Sequence, residues 1–163
     1  MKEKDFCTYL SSPVGFLKLI SDNAALTSIS FSEIPREDSP ELPDVLLLAV
    51  QQLNEYFSGT RNAFNLNLNP KGTAFQQRVW KYVQKVPFGE TTSYLEVAKL
   101  TGSANNTRAV GLANGKNPIP IIIPCHRVIG TNGKLTGYAG GIERKRWLLQ
   151  HEILHTNFAG RLF

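Results

Sequence analysis

Pro118-Ile119-Pro120-Ile121-Ile122-Ile123-Pro124-Cys125-His126-Arg127-Val128-Ile129-Gly130 sets a thiol beside an imidazole at the end of an apolar run stiffened by three prolines. The attacking form of a cysteine is the thiolate, and an unperturbed cysteine (pKa about 8.5) is mostly thiol at neutral pH. A neighbouring histidine is the usual remedy. On a strand, successive side chains point to opposite faces. If Ile121-Ile122-Ile123 is a buried strand, Pro124 must end it, because proline donates no ladder hydrogen bond. Cys125 and His126 then fall on a turn or first helical turn, where adjacent side chains can converge on one site. A buried free cysteine beside a satisfied histidine is the bland account of the same pair, and the commoner one.

Downstream of the pair, Arg127-Val128-Ile129 and Lys134-Leu135 flank Gly130-Thr131-Asn132-Gly133, and Asn-Gly is a hairpin signal. Gly137-Tyr138-Ala139-Gly140-Gly141 is too rich in glycine for a regular element and reads as a loop whose backbone can approach a flat ligand. A last helix is predicted from Ile142 to about Leu154.

Upstream, Thr73-Ala74-Phe75-Gln76 is a capping box that starts a helix at Thr73. Phe75, Val79, Val83 and Val86 line one face of it, Trp80 widens that face, and Pro87-Phe88-Gly89 ends it. Ser93-Tyr94-Leu95-Glu96 is a second capping box, opening a short helix to Leu100 that stops at Gly102. A further helix runs from about Asn105 to Asn114. Two short helices joined by a tight glycine turn read as a helix-turn-helix. The second of them is slim: Ala109, Gly111, Ala113 and Gly115 are small, and Arg108 is its only charge before Lys116. Glycine inside a helix costs about 1 kcal/mol relative to alanine. Tight packing against a neighbouring helix compensates for that as well as entry into a narrow groove does.

The first half carries no motif of its own. Phe6 to Leu10, Val14 to Ile20 and Ala24 to Phe31 read as strands around turns. Glu33 to Asp44, with prolines at 35, 40 and 43 and five acidic residues, has the composition of a mobile surface connection. Val45 to Phe57 reads as a helix with positions 46, 49, 50, 53 and 57 on its apolar face. Ala63 to Asn69 alternates as a half-buried strand, and Pro70-Lys71-Gly72 punctuates. The fold class is therefore an α/β N-terminal domain over 1–70, a small, mostly antiparallel sheet with a helix. A mainly helical C-terminal domain follows over 73–163, with a helix-turn-helix and winged-helix-like.

The 163 residues carry a net charge of +5, and its distribution is uneven. Residues 1–72 hold 6 Lys/Arg against 9 Asp/Glu, while residues 73–163 hold 12 against 4. A basic second half is the footprint of a phosphate-backbone binder, or a solvated face without a partner. No run is long enough to span a membrane and no signal-peptide segment opens the chain. The two cysteines, Cys7 and Cys125, do not suggest a disulfide framework. A reducing cytoplasm suits a thiol that must stay free.

Asn117-Pro118 through Val128 closely resembles the active-site motif of the O6-alkylguanine-DNA alkyltransferases, the methylated-DNA–protein-cysteine methyltransferases. The resemblance continues through Gly137 to Gly141 and Trp147 to Glu152. Upstream it takes in Gly89-Glu90-Thr91-Thr92-Ser93-Tyr94 and Arg108-Ala109-Val110-Gly111. It implies a DNA-repair protein that removes alkyl groups from O6 of guanine, and less readily from O4 of thymine, in double-stranded DNA. Cys125 keeps the group as a thioether, so each molecule works once, as a monomer without metal or organic cofactor. By that resemblance Cys125, His126 and Glu152 form a relay, with a water between thiol and imidazole, and Tyr94 and Lys145 complete the catalytic set. The target base is flipped out of the stack. Arg108 takes its place, Tyr94 crowds the target phosphate, and Ala109, Gly111 and Asn114 lie on the DNA-binding helix in the minor groove. Asn117, Tyr138, Ala139 and Gly140 belong to the substrate pocket. Some relatives carry serine where this chain has Ala139.

Two other classes compete. A non-catalytic lesion binder shares the grip on DNA but replaces the cysteine, which is present here. His151-Glu152-Ile153-Leu154-His155 matches the zinc-hydrolase pattern H-E-x-x-H, whose histidines share a helix face but need a third ligand. Only eight residues follow His155, and none is His, Asp, Glu or Cys. The sequence therefore places no metal.

Overall fold

The computed structural model describes residues 4–160. The chain divides into two compact units, the first ending at Lys71 and the second beginning at Gly72. The first is an antiparallel sheet with one helix and the second is mainly helical, the fold class expected.

In the first unit, strands β1 (Phe6–Ser12), β2 (Gly15–Ser21) and β3 (Leu26–Ser32) pair in that order. Leu17 and Leu19 on β2 point inward at period two, opposite Leu10 on β1 and Ile29 on β3. Helix α1 (Asp44–Ser58) packs on all three strands. Its buried face is Leu46, Ala49, Leu53 and Tyr56, so Tyr56 turns inward where Phe57 was expected.

Both edges of this sheet are covered, which removes open pairing sites. The acidic connection is pinned rather than loose. The Ser39 amide donates to the Cys7 carbonyl, and Asp38 accepts from the Thr8 hydroxyl and the Tyr9 amide. On the other edge, 63–69 is not the regular strand its alternation predicts. It makes one bridge, Leu26 to Leu68. The Gln52 side chain takes the place of a neighbouring strand, accepting from the Asn65 amide at 2.9 Å and donating to the Asn65 carbonyl at 3.0 Å.

In the second unit, α2 (Ala74–Gln84) starts at the predicted capping box, with Thr73 and Gln76 bonded reciprocally. α3 (Tyr94–Leu100) is capped by Ser93. A 3-10 turn over Ala104–Asn106 leads into α4 (Thr107–Gly115). Trp80 is buried and its indole N–H donates to the Ala113 carbonyl, locking α2 to α4. The last helix, α5, runs Ile142–Gly160. Among the described residues no helix is long and apolar enough to cross a membrane.

The region between α4 and the last helix departs from expectation twice. Ile121-Ile122-Ile123 is not a strand. It is a buried turn in which Ile121 takes φ of 75°, the left-handed region that β-branched residues avoid. The Ile123 amide closes the turn on the Ile119 carbonyl. The predicted hairpin is also absent. Of its two arms only Val128–Ile129 is a strand, β5, and it pairs in parallel with β4 (Thr92–Ser93). Lys134 instead closes the Gly130–Gly133 turn by accepting from the Gly130 amide.

Candidate active site

Pro124 ends the isoleucine turn, and Cys125–Arg127 forms a single 3-10 turn. The proline logic therefore places the pair correctly, although no strand precedes it. Cys125 and His126 are both buried. The turn is held from two sides. The Asn117 side chain donates to the Ile123 carbonyl and accepts from the Ile119 amide, closing the loop that carries the cysteine. Asn114 donates its Nδ2–H to the Cys125 carbonyl at 3.1 Å. Asn114 was expected on the DNA-facing side of its helix; it lies on the buried side, because its amide is needed by that carbonyl.

Glu152 comes from α5 and reaches His126, Nε2 to Oε2 at 2.6 Å. A carboxylate only accepts, so Nε2 carries the proton and donates. In the neutral ring Nδ1 is then the basic lone pair, and it has no hydrogen-bond partner among the described residues. Arg127 grips the same carboxylate with two donors, Nε to Oε1 at 2.8 Å and Nη2 to Oε2 at 3.1 Å. Its remaining Nη1 donates to the Val86 carbonyl. The Gly89 amide donates a further bond to Oε1 at 3.1 Å.

Arg127 has no role in the sequence reading. Its signal was present: it is the one charge in the otherwise apolar run from Pro118 to Ile129, apart from the histidine. A buried guanidinium requires a carboxylate partner.

Burial dominates the electrostatics. It pushes the Cys125 thiol up to about 11, against the Asn117 side chain and the Lys145 charge, which favour thiolate. Burial also lowers His126, opposed by Glu152. Glu152 would itself be raised by burial, but hydrogen bonds and charge from His126 and Arg127 reverse this and hold it well below the carboxylate range. The resting site is thus thiol, neutral imidazole and carboxylate, with the arginine balancing the one fixed negative charge.

Lys145 is fully buried on α5, and burial lowers it to about 8. Its ammonium donates to the Val128 carbonyl at 2.6 Å and the Thr136 carbonyl at 2.9 Å, and reaches the Tyr94 hydroxyl at 3.5 Å. Tyr94 stands at the start of α3 and donates to the Thr136 carbonyl. Burial raises its phenol, against the hydrogen bond to Thr136. Tyr138 is buried and strongly raised by the same desolvation. Ala139 is exposed, and the Gly140 carbonyl accepts from Arg144. The structure therefore sets Cys125 and His126 on one turn, with His126 bonded to Glu152 and the turn's backbone held by Asn114 and Asn117. Lys145 joins Tyr94 to the loop that holds Tyr138.

Arg108 and Ala109 lie apart from that set, exposed on the outer face of α4. The buried ring of His151 stacks on Trp147 at 4.8 Å, and His155 donates Nδ1–H to the His151 carbonyl. Among the described residues no group of three His, Cys, Asp or Glu side chains is placed to hold a metal.

Residues 74–154 match the family model for the 6-O-methylguanine DNA methyltransferase DNA binding domain, and residues 6–70 match that for its ribonuclease-like domain. The chain is 51% identical over 148 residues to the methylated-DNA--protein-cysteine methyltransferase of Mycobacterium tuberculosis, covering 88% of this chain and 89% of that one. It is 45% identical over 147 residues to the protein of that name from Methanosarcina acetivorans, covering 86% and 94%. The crystal structure of the Mycobacterium tuberculosis O6-methylguanine methyltransferase superposes with a TM-score of 0.84 at 47% identity, over 93% of this chain and 94% of that one. The Mycobacterium tuberculosis OGT structure in complex with DNA gives 0.82 at 48%, over 90% and 92%.

Proposed function

The chain belongs to the 6-O-methylguanine DNA methyltransferase family, which repairs DNA by alkyl transfer to a cysteine, and we propose that Cys125 is that cysteine and O6 of guanine the donor. The observation that supports this most is the buried Cys125–His126 turn with Glu152 2.6 Å from the imidazole.

The resting thiol is protonated, so activation requires a base. His126 Nδ1 takes the Cys125 proton through a bridging water, and Glu152 stabilises the imidazolium that forms. The sulfur then attacks the alkyl carbon in line. The S–C bond forms, the C–O6 bond breaks, and guanine leaves with the electron pair. The Tyr94 hydroxyl, which accepts from the Lys145 ammonium, protonates the leaving base by giving up its bond to the Thr136 carbonyl. Arg127 and Gly89 position Glu152 rather than touching the substrate. No step restores the thiol, so the protein is consumed one molecule per lesion.

A base within the duplex stack is out of reach of a buried thiol, so the nucleotide is flipped into the site. α3 and α4 serve as a helix-turn-helix that meets the minor groove, and Arg108, exposed on α4, fills the vacated place. Minor-groove readout carries little sequence information, which suits a protein that must patrol all sequences. The partner is alkylated double-stranded DNA, with guanine preferred to thymine, and the protein works as a cytoplasmic monomer.

The deciding experiment is intact-mass analysis after incubation with duplex DNA carrying one O6-methylguanine, followed by peptide mapping. One CH2 added at Cys125, stoichiometric and without turnover, is the expected result. Tight lesion binding without an adduct would replace this reading with a non-catalytic sensor.

A further inference from the structure

The outer line of α4 holds one residue that the reaction does not account for. Val110, Ala113 and Asn114 are buried on its inner side. Its outer side presents Arg108, Ala109, Leu112 and, just past the end, Lys116. Arg108, Leu112 and Lys116 are spaced i, i+4, i+8 and therefore stand in one line. Leu112 is 65% exposed at the centre of that line. A single exposed leucine is ordinary on a protein surface. This one sits between two cations, on a face where every other residue is small or charged.

The glycines beside it are not demanded by packing underneath. A Cβ added at Gly111 would meet Tyr94 at 3.9 Å, and one added at Gly115 would meet the Gly137 carbonyl at 4.0 Å, both ordinary contacts. The helix is slim where nothing inside requires it, and the one large uncharged side chain of its outer line is Leu112.

We propose that Leu112 is an apolar minor-groove contact, packing on deoxyribose and base edges next to the flipped nucleotide and keeping the groove open. The occupant is duplex DNA, chosen by charge complementarity: Arg108 and Lys116 bracket the leucine with positive charge in a unit that carries 12 Lys/Arg against 4 Asp/Glu. Proteins that bend DNA from the minor groove commonly use aliphatic side chains as wedges at base steps. Four residues of helix rise about 6 Å, so Leu112 would reach a step adjoining the one where Arg108 fills the vacancy. Its contribution is to grip and to the lifetime of the flipped state. This inference rests on the reading that α4 enters the minor groove.

The test compares Leu112→Ala, Leu112→Gln and Leu112→Met with Arg108→Ala and Lys116→Ala. Duplex affinity is measured across a salt series, and single-turnover transfer is measured from lesion-bearing duplex and from free O6-alkylated guanine base. Leu112→Ala and Leu112→Gln should weaken duplex binding about tenfold, the order expected for losing part of a buried leucine. The loss on duplex should exceed any loss on free base by a similar factor, and Leu112→Met should restore most of it. The salt slope should stay unchanged for Leu112 variants, while Lys116→Ala lowers it by about one. Unchanged duplex affinity, or equal losses on duplex and free base, overturns the inference. If Arg108→Ala shows a duplex-specific loss and Leu112 does not, the inference alone fails. If neither shows it, the reading of α4 fails with it.

Discussion

His126 Nε2 lies 2.6 Å from Glu152 Oε2, and both side chains are shut away from water. The same carboxylate takes two bonds from Arg127 and one from the Gly89 amide. Glu152→Gln leaves the arginine buried without its counter-charge, which should cost about 3 kcal/mol or more. Transfer should fall by roughly a hundredfold or more, the range for losing support of a general base. Urea unfolding and single-turnover kinetics measure the two effects separately; a wild-type rate would remove Glu152 from the relay.

Acid should unfold the protein in two stages. His126 is lowered by burial, so the unfolded chain takes up a proton below its ordinary 6.5 that the folded chain refuses, and stability falls as pH drops through that window. Glu152 is held below its ordinary 4.5, so its contribution is complete above that value and is lost as pH falls further. Thermal melts from pH 7 to pH 3 should show both declines in the wild type. In Glu152→Gln the second should be smaller.

Cys125 should be a sluggish thiol in the absence of DNA. With its pKa pushed up to about 11, its alkylation by iodoacetamide should still be rising past pH 10, followed by peptide mass. Lys145→Met should carry the rise further up, since the lysine charge favours thiolate. A plateau below pH 9 would contradict the burial that sets this value.

Asn114 joins α4 to the Cys125 carbonyl. Asn114→Ala loses one buried bond, about 1 kcal/mol. Asn114→Asp should be worse than alanine in both stability and transfer, because it sets a buried acceptor against an acceptor. Equal effects would mean that the bond is incidental.

Ile121 and Ile123 are both fully buried, but only Ile121 takes positive φ. Each glycine substitution empties the same volume, and only Ile121→Gly relieves the backbone. Ile121→Gly should therefore be the milder by about 1 kcal/mol in urea unfolding, the lower end of the left-handed penalty for a β-branched residue.

What the sequence revealed was local. Alternation along β1, β2 and β3, the Thr73–Gln76 capping box and the effect of Pro124 on the Cys-His pair depend on neighbours in the chain, and each is found where it was read. The failures share a cause in distant partners. Ala63 to Asn69 alternates like a strand, yet its hydrogen bonds go to the side chain of Gln52 and to Leu26. Three consecutive isoleucines read as extended chain, and nothing local announces that one of them turns left-handed. The bond from Asn114 to the Cys125 carbonyl spans a loop of unpredicted shape. The resemblance carried the expectation that Glu152 meets His126; no spacing rule could supply it, nor show that Arg127 competes for the same oxygens.

The carboxylate that binds His126 follows it in the chain by 26 positions. A ribosome therefore delivers the thiol, its base and its arginine before the group that holds them in place. Until α5 has been made and has docked, Cys125 is one more unassisted thiol on a nascent chain. Competence for the single reaction is conferred last, so an unfinished polypeptide has little means of spending it.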